Sequence, residues 1–201
     1  MNDFSNTPIT ELTALIAEHL QSHGIEVVLV GGLAVEIYTD NLYLTKDIDM
    51  VNTNYSAPKA IHRAMAELGF HKRGRVYEND TTDITVEFPP GPLSVGDQLI
   101  KETTQQSVAD KSVPILTVRD VVKDRLAAYI HWQDRQSLIQ AATILIKHQR
   151  DPVEFKAFCE HEGTSADYGL FQDLYRRARK QNILDMAQLE HLLAEILLEN
   201  I

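Results

Sequence analysis

An apolar run that ends on two glycines constrains this chain most. Ile25-Glu26-Val27-Val28-Leu29-Val30 is followed by Gly31-Gly32, then by Leu33-Ala34-Val35-Glu36. A short stretch rich in β-branched residues predicts a buried strand. The glycines predict a tight turn, and Leu33–Thr39 predicts a short helix. Fourteen residues after Gly31 comes Thr45-Lys46-Asp47-Ile48-Asp49. Side chains alternate across a strand, so Asp47 and Asp49 share one face and Ile48 takes the other.

The remaining periodicity divides the chain in two. Pro8–His23 has helical spacing, with Thr7 as the expected cap and Gly24 as the stop. Ala57–Leu68 predicts a second helix, capped by Ser56 and ended by Gly69. Arg73–Tyr77 and Asp83–Phe88 predict a hairpin, which Pro89-Pro90-Gly91-Pro92 must end because proline cannot continue a ladder. Val113–Leu116 predicts a last strand. Beyond Thr117 the pattern is helical, near Val118–His131, Arg135–His148, Pro152–His161, Ala166–Lys180 and Met186–Leu198. The expected fold class is α+β: a mixed sheet flanked by helices, then a C-terminal helical lobe. The expected domains are residues 1–116 and 117–201.

Paired carboxylates on one strand face suit a divalent cation. Close acids repel one another unless a cation relieves them. Magnesium takes oxygen ligands and sits between carboxylates and phosphates. A glycine turn at a helix start lets backbone N–H groups approach a phosphate. Either feature alone is commoner as a solvated sheet face or an ordinary turn. A third acid strengthens the metal reading. Glu87 is the better candidate, standing at a strand end before the prolines, with Asp83 and Glu78 as alternatives. Asp83 shares Glu87's face but lies about 13 Å away along an extended strand, so both cannot serve one ion. No Gly-Lys-Ser/Thr follows Gly31-Gly32, which excludes a Walker A loop, and the dinucleotide fingerprint is absent.

Other side chains have plainer readings. Lys123 is either a point charge for phosphates or a solvated helix position. Trp132 reads as core or as a wedge. His19 and His23, spaced i, i+4, have metal-binding spacing, but no third ligand is evident in the sequence. Cys159 with His161 suggests no site.

Composition sets outer limits. The formal net charge of −10 argues against broad binding to nucleic acid, which needs clustered Lys and Arg. The single cysteine forbids an intrachain disulfide. No stretch approaches the ~20 apolar residues of a membrane span, and no signal peptide is evident. The expectation is a cytoplasmic protein with no membrane association.

Taken together, these motifs resemble the nucleotidyltransferase superfamily typified by DNA polymerase beta. Within it the chain looks most like small bacterial toxin-like proteins of abortive-infection pairs. The resemblance runs roughly from Val27 to Arg135. It implies that Gly31, Gly32, Thr45 and Lys123 bind nucleotide, and that Asp47, Asp49 and Glu87 are catalytic and bind metal. It also matches Asp134-Arg135 to a later acidic position. The implied cofactor is Mg²⁺, as one or two ions, with a nucleoside triphosphate as substrate. The implied activity moves a nucleoside monophosphate to a hydroxyl of RNA, protein or a small molecule. An antitoxin partner is implied as well. Two positions depart from the pattern. Tyr43 stands where relatives often carry arginine, and Glu87 where aspartate is common. Those departures motivate an alternative: an inactive nucleotidyltransferase-fold binding module or partner subunit.

Overall fold

The computed structural model describes residues 2–108 and 110–199. The chain forms two compact units. One holds residues 1–37, 44–94 and 99–117; the other holds 38–43, 95–98 and 118–201.

The first unit is built on a seven-stranded mixed sheet. Its strands are β1 (Val27–Val30), β2 (Asp47–Asn52), β3 (His71–Arg73), β4 (Val76–Asn79), β5 (Thr82–Glu87), β8 (Thr104–Val108) and β9 (Lys111–Ile115). Two further short strands, β6 (Ser94–Val95) and β7 (Gln98–Leu99), pair with each other. The sheet order is β3-β4-β5-β2-β1-β9-β8. β1 sits near the centre, which is why it is apolar on both faces. It runs antiparallel to β2 and parallel to β9. β2 runs parallel to β5.

Three helices belong to these strands. α1 (Ile9–Ser22) packs on β9 and on α3 (Pro58–Glu67), while α2 (Gly31–Thr39) begins directly after β1. Leu12, Ile16 and Leu20 recur at helical spacing on α1 and are fully buried, as are Leu29, Ile48 and Met50 of the sheet. Neither α1 nor α3 is capped as expected. Their N-caps are Pro8 and Ala57, with no side-chain cap bond. Ser56 instead donates to Asn54 at 2.8 Å, because Asn54 organises the loop by also bonding the Gly24 carbonyl and the Glu26 N–H.

The second unit is helical: α4 (Val118–Trp132), α5 (Arg135–Lys147), α6 (Lys156–Glu162), α7 (Ser165–Gln181) and α8 (Met186–Glu199). Pro152–Phe155 forms a 3-10 turn ahead of α6, since Asp151 caps it and Pro152 suits its first position. α7 starts on a capping box in which Thr164 and Asp167 satisfy each other's backbone N–H. Phe155 and Phe171 meet edge to face in its core, with ring centroids 6.3 Å apart. Trp132 is exposed rather than core. No helix among the described residues is long and apolar enough to cross a membrane.

Candidate active site

The acidic face comes from strand pairing. In β2 the burial alternates: Ile48 is fully buried, while Asp47 is exposed and Asp49 half-buried. The parallel register sets Asp47 opposite Thr85 and Asp49 opposite Glu87. On β5, Val86 is buried between Thr85 and Glu87, so those two share the face with the aspartates. The sheet therefore brings Asp47, Asp49 and Glu87 onto one surface of two adjacent strands. Asp83 stands at the far end of β5, where it pairs with Lys46 at 3.0 Å.

Several bonds hold this face. Thr85 Oγ1 donates to Asp47 Oδ1 at 2.6 Å. The Asp47 N–H donates to Thr45 Oγ1 at 3.2 Å, and the Thr45 N–H donates to Glu36 Oε2 at 2.9 Å. Thr45 thus braces the strand entrance. Glu36 was not singled out in the sequence. It sits on α2, only 4% exposed, and burial pushes its carboxyl pKa up while the Thr45 N–H pulls it down. Its one visible sign was an acid inside an otherwise apolar helical stretch.

The glycine turn meets the same face. β1 pairs Val30 with Asp49, so Gly31 emerges beside that carboxylate. Gly31 has φ +69°, and a Cβ there would lie 2.5 Å from Asp49 Oδ2. Only glycine combines that backbone with so close an approach. Gly31 and Gly32 are the first residues of α2, where unpaired N–H groups and the helix dipole favour an anion.

Glu87 has a cationic partner. Arg75, 87% exposed in the turn between β3 and β4, lies 3.2 Å from Glu87 Oε1. The three carboxylates are not among the groups of His, Cys, Asp or Glu found with all ligand atoms within 4.8 Å of one another. Their chemistry nonetheless suits a hard divalent cation: oxygen donors only, on one face, beside a glycine turn that packs directly on Asp49.

Lys123 belongs to the second unit. There its Nζ donates to Gln98 Oε1 at 2.8 Å and lies 5.4 Å from the Phe158 ring centroid. Cys159 is buried and its thiol is pushed up to about 12, chiefly by desolvation, so it is no nucleophile. Its neighbour His161 pairs with Asp97 instead.

Comparison with known proteins gives a match over part of the chain. Residues 10–67 match the family described as "Nucleotidyl transferase of unknown function (DUF2204)". That stretch contains Gly31-Gly32 and the Asp47-Ile48-Asp49 strand. Over residues 10–67 the chain is thus similar to a family of nucleotidyltransferases. No curated protein matches it. Among solved structures it is similar to the crystal structure of ANT(2'')-Ia in complex with adenylyl-2''-tobramycin. The identity is 15% and the TM-score 0.48, over 83% of this chain and 98% of that one. It is also similar to the solution structure of the antibiotic-resistance factor ANT(2'')-Ia. There the identity is 15% and the TM-score 0.46, over 92% of this chain and 98% of that one. At 15% identity neither likeness speaks to this chain's substrate.

Proposed function

We propose that this chain transfers a nucleoside monophosphate from a nucleoside triphosphate to a hydroxyl acceptor, with Mg²⁺ held by Asp47, Asp49 and Glu87. The register that sets Asp49 between Gly31 and Glu87 is the observation that carries this reading. When bound, the cation supplies charge neutralisation for the triphosphate and the leaving group. The N–H groups at Gly31 and Gly32 orient the phosphates. Thr85 fixes the Asp47 carboxylate by donating to it. Glu87, once released from Arg75, takes the acceptor hydroxyl proton. The acceptor oxygen bonds to the α-phosphorus, the bond to the β-phosphate oxygen breaks, and pyrophosphate leaves. Most of the rate gain comes from positioning and preorganised charge.

The test is thermal denaturation with each of four nucleoside triphosphates and Mg²⁺, followed by transfer of labelled nucleotide. A rise in Tm that vanishes in Asp47→Asn/Asp49→Asn, with labelled product from the parent only, is the expected result. Absence of both the shift and the product with all four nucleotides would overturn it. The label also identifies the acceptor as RNA, protein or small molecule. Growth arrest on expression, relieved by the same double substitution, would extend the reading to a toxin needing an antitoxin.

The Arg75–Glu87 ion pair favours a second reading, a nucleotide-binding module without turnover. Saturable nucleotide binding with no product, in the parent and in Arg75→Ala alike, would establish it.

A further inference from the structure

The i, i+4 pair of His19, on α1, and His23, its C-cap, acquires a third ligand in the fold. Glu67, the last residue of α3, brings Oε2 to 2.9 Å from His23 Nε2 and 3.7 Å from His19 Nε2. The three ligand atoms lie within 4.8 Å of one another. The residues are 44 positions apart from His23 to Glu67, which is why the sequence showed only two of them.

We propose that His19, His23 and Glu67 form a zinc site that links α1 to α3, separate from the Asp47, Asp49 and Glu87 face. Three observations carry it. The first is spacing. Tetrahedral zinc with bonds of about 2.0–2.1 Å needs ligand atoms roughly 3.3–3.4 Å apart. The two distances to Glu67 Oε2 bracket that value, so small side-chain rotations seat the ion. The second is tautomer control. His23 Nδ1 lies 2.9 Å from the His19 carbonyl, which can only accept. His23 Nδ1 is therefore the N–H, and Nε2 faces Glu67 as the ligating nitrogen. A backbone carbonyl behind a ligating histidine is the usual second support of a zinc ligand. The third is access. The side chains of His19, His23 and Glu67 are 21%, 28% and 47% exposed, so a hydrated ion can reach them and water can complete the fourth position.

His19 has a competing partner. Its Nε2 lies 3.0 Å from the Ala64 carbonyl near the end of α3. Zinc binding exchanges that hydrogen bond for a metal bond, leaving Ala64 to water. The donor set also sorts metals: two imidazoles and one carboxylate suit zinc, whereas the all-oxygen face suits magnesium.

The test uses the full chain carrying Asp47→Asn/Asp49→Asn/Glu87→Gln, so that the acidic face keeps none of its three carboxylates. Zinc alone is titrated by calorimetry, and Co²⁺ is followed by its visible absorption. One zinc per chain, a higher Tm, and an intense tetrahedral Co²⁺ spectrum are expected. His19→Gln/His23→Gln should weaken zinc at least tenfold, and Glu67→Gln should also weaken it, each with an unchanged circular dichroism spectrum. Glutamine at 19 can still donate to Ala64, so loss of that bond does not explain the result. No saturable zinc at one per chain overturns the proposal. So does zinc affinity within twofold of the parent in the histidine double variant.

Discussion

Gly31 excludes a side chain for two separate reasons. Its φ of +69° costs an L-residue roughly 1–2 kcal/mol. A Cβ would also overlap the Asp49 carboxylate. Gly74 separates the two effects, because it has φ +63° but nothing within 4 Å of an added Cβ. Gly31→Ala is therefore expected to destabilise the chain more than Gly74→Ala. It should also remove the stabilisation by Mg²⁺ and nucleotide, which Gly74→Ala should leave intact. Urea denaturation measures the first difference and Tm with nucleotide the second. Equal costs would mean that the approach to Asp49 has no energetic consequence. Gly31, Asp47 and Asp49 were legible in the sequence because a turn and an alternation are local. Arg75 beside Glu87 was not, because it depends on where the β3–β4 turn falls.

At the scale of elements, α2 ties the phosphate turn to the carboxylate strand. It begins at Gly31, and through Glu36 it holds Thr45, which in turn holds the Asp47 N–H. A carboxyl raised by burial binds its proton more tightly folded than unfolded. Its contribution to stability is thus greatest below the ordinary glutamate value of 4.5 and falls as pH rises through the raised value. Glu36→Gln removes the titratable carboxyl and keeps an acceptor for Thr45. Glu36→Ala leaves the Thr45 N–H without that acceptor, a loss of roughly 1–3 kcal/mol. Glu36→Ala is therefore expected to be clearly less stable than Glu36→Gln near neutral pH, as measured by urea midpoints. Equal midpoints would sink the bracing role. The helices of the second unit were readable almost to the residue, since burial repeats at 3.6 along each. The edge strands were not. Thr104-Gln105-Gln106-Ser107-Val108 is mostly polar because β8 lies at the sheet edge with one side unpaired, so no apolar alternation marks it. β3 is exposed throughout for the same reason.

For the whole molecule, the chain path raises a question of what holds Val95–Gln98, which belongs to the helical unit although its sequence neighbours belong to the sheet unit. Polar contacts hold it within that unit. Glu162, with a side chain only 5% exposed, accepts the Asp97 N–H at 3.0 Å and pairs with His131 at 2.7 Å. Gly96 has φ +56°, and a Cβ there would overlap the Glu162 carboxylate, so the segment can come this close only as glycine. Asp97 Oδ2 then meets His161 Nε2 at 2.8 Å. That hydrogen bond raises the His161 pKa and lowers that of Asp97. The raised histidine contributes stability below its unfolded value and loses it as pH rises through the folded one. The lowered aspartate contributes above its unfolded value and loses it as pH falls through the folded one. The pair is therefore fully effective between the ordinary values of 3.8 and 6.5. Both groups face solvent, so the effect is small and screened by salt. The Tm difference between the parent and His161→Ala should be largest in that window. It should shrink at higher pH and in concentrated salt. A difference that is constant across pH would show that His161 acts by packing alone, and that Glu162, not the ion pair, keeps the segment in place.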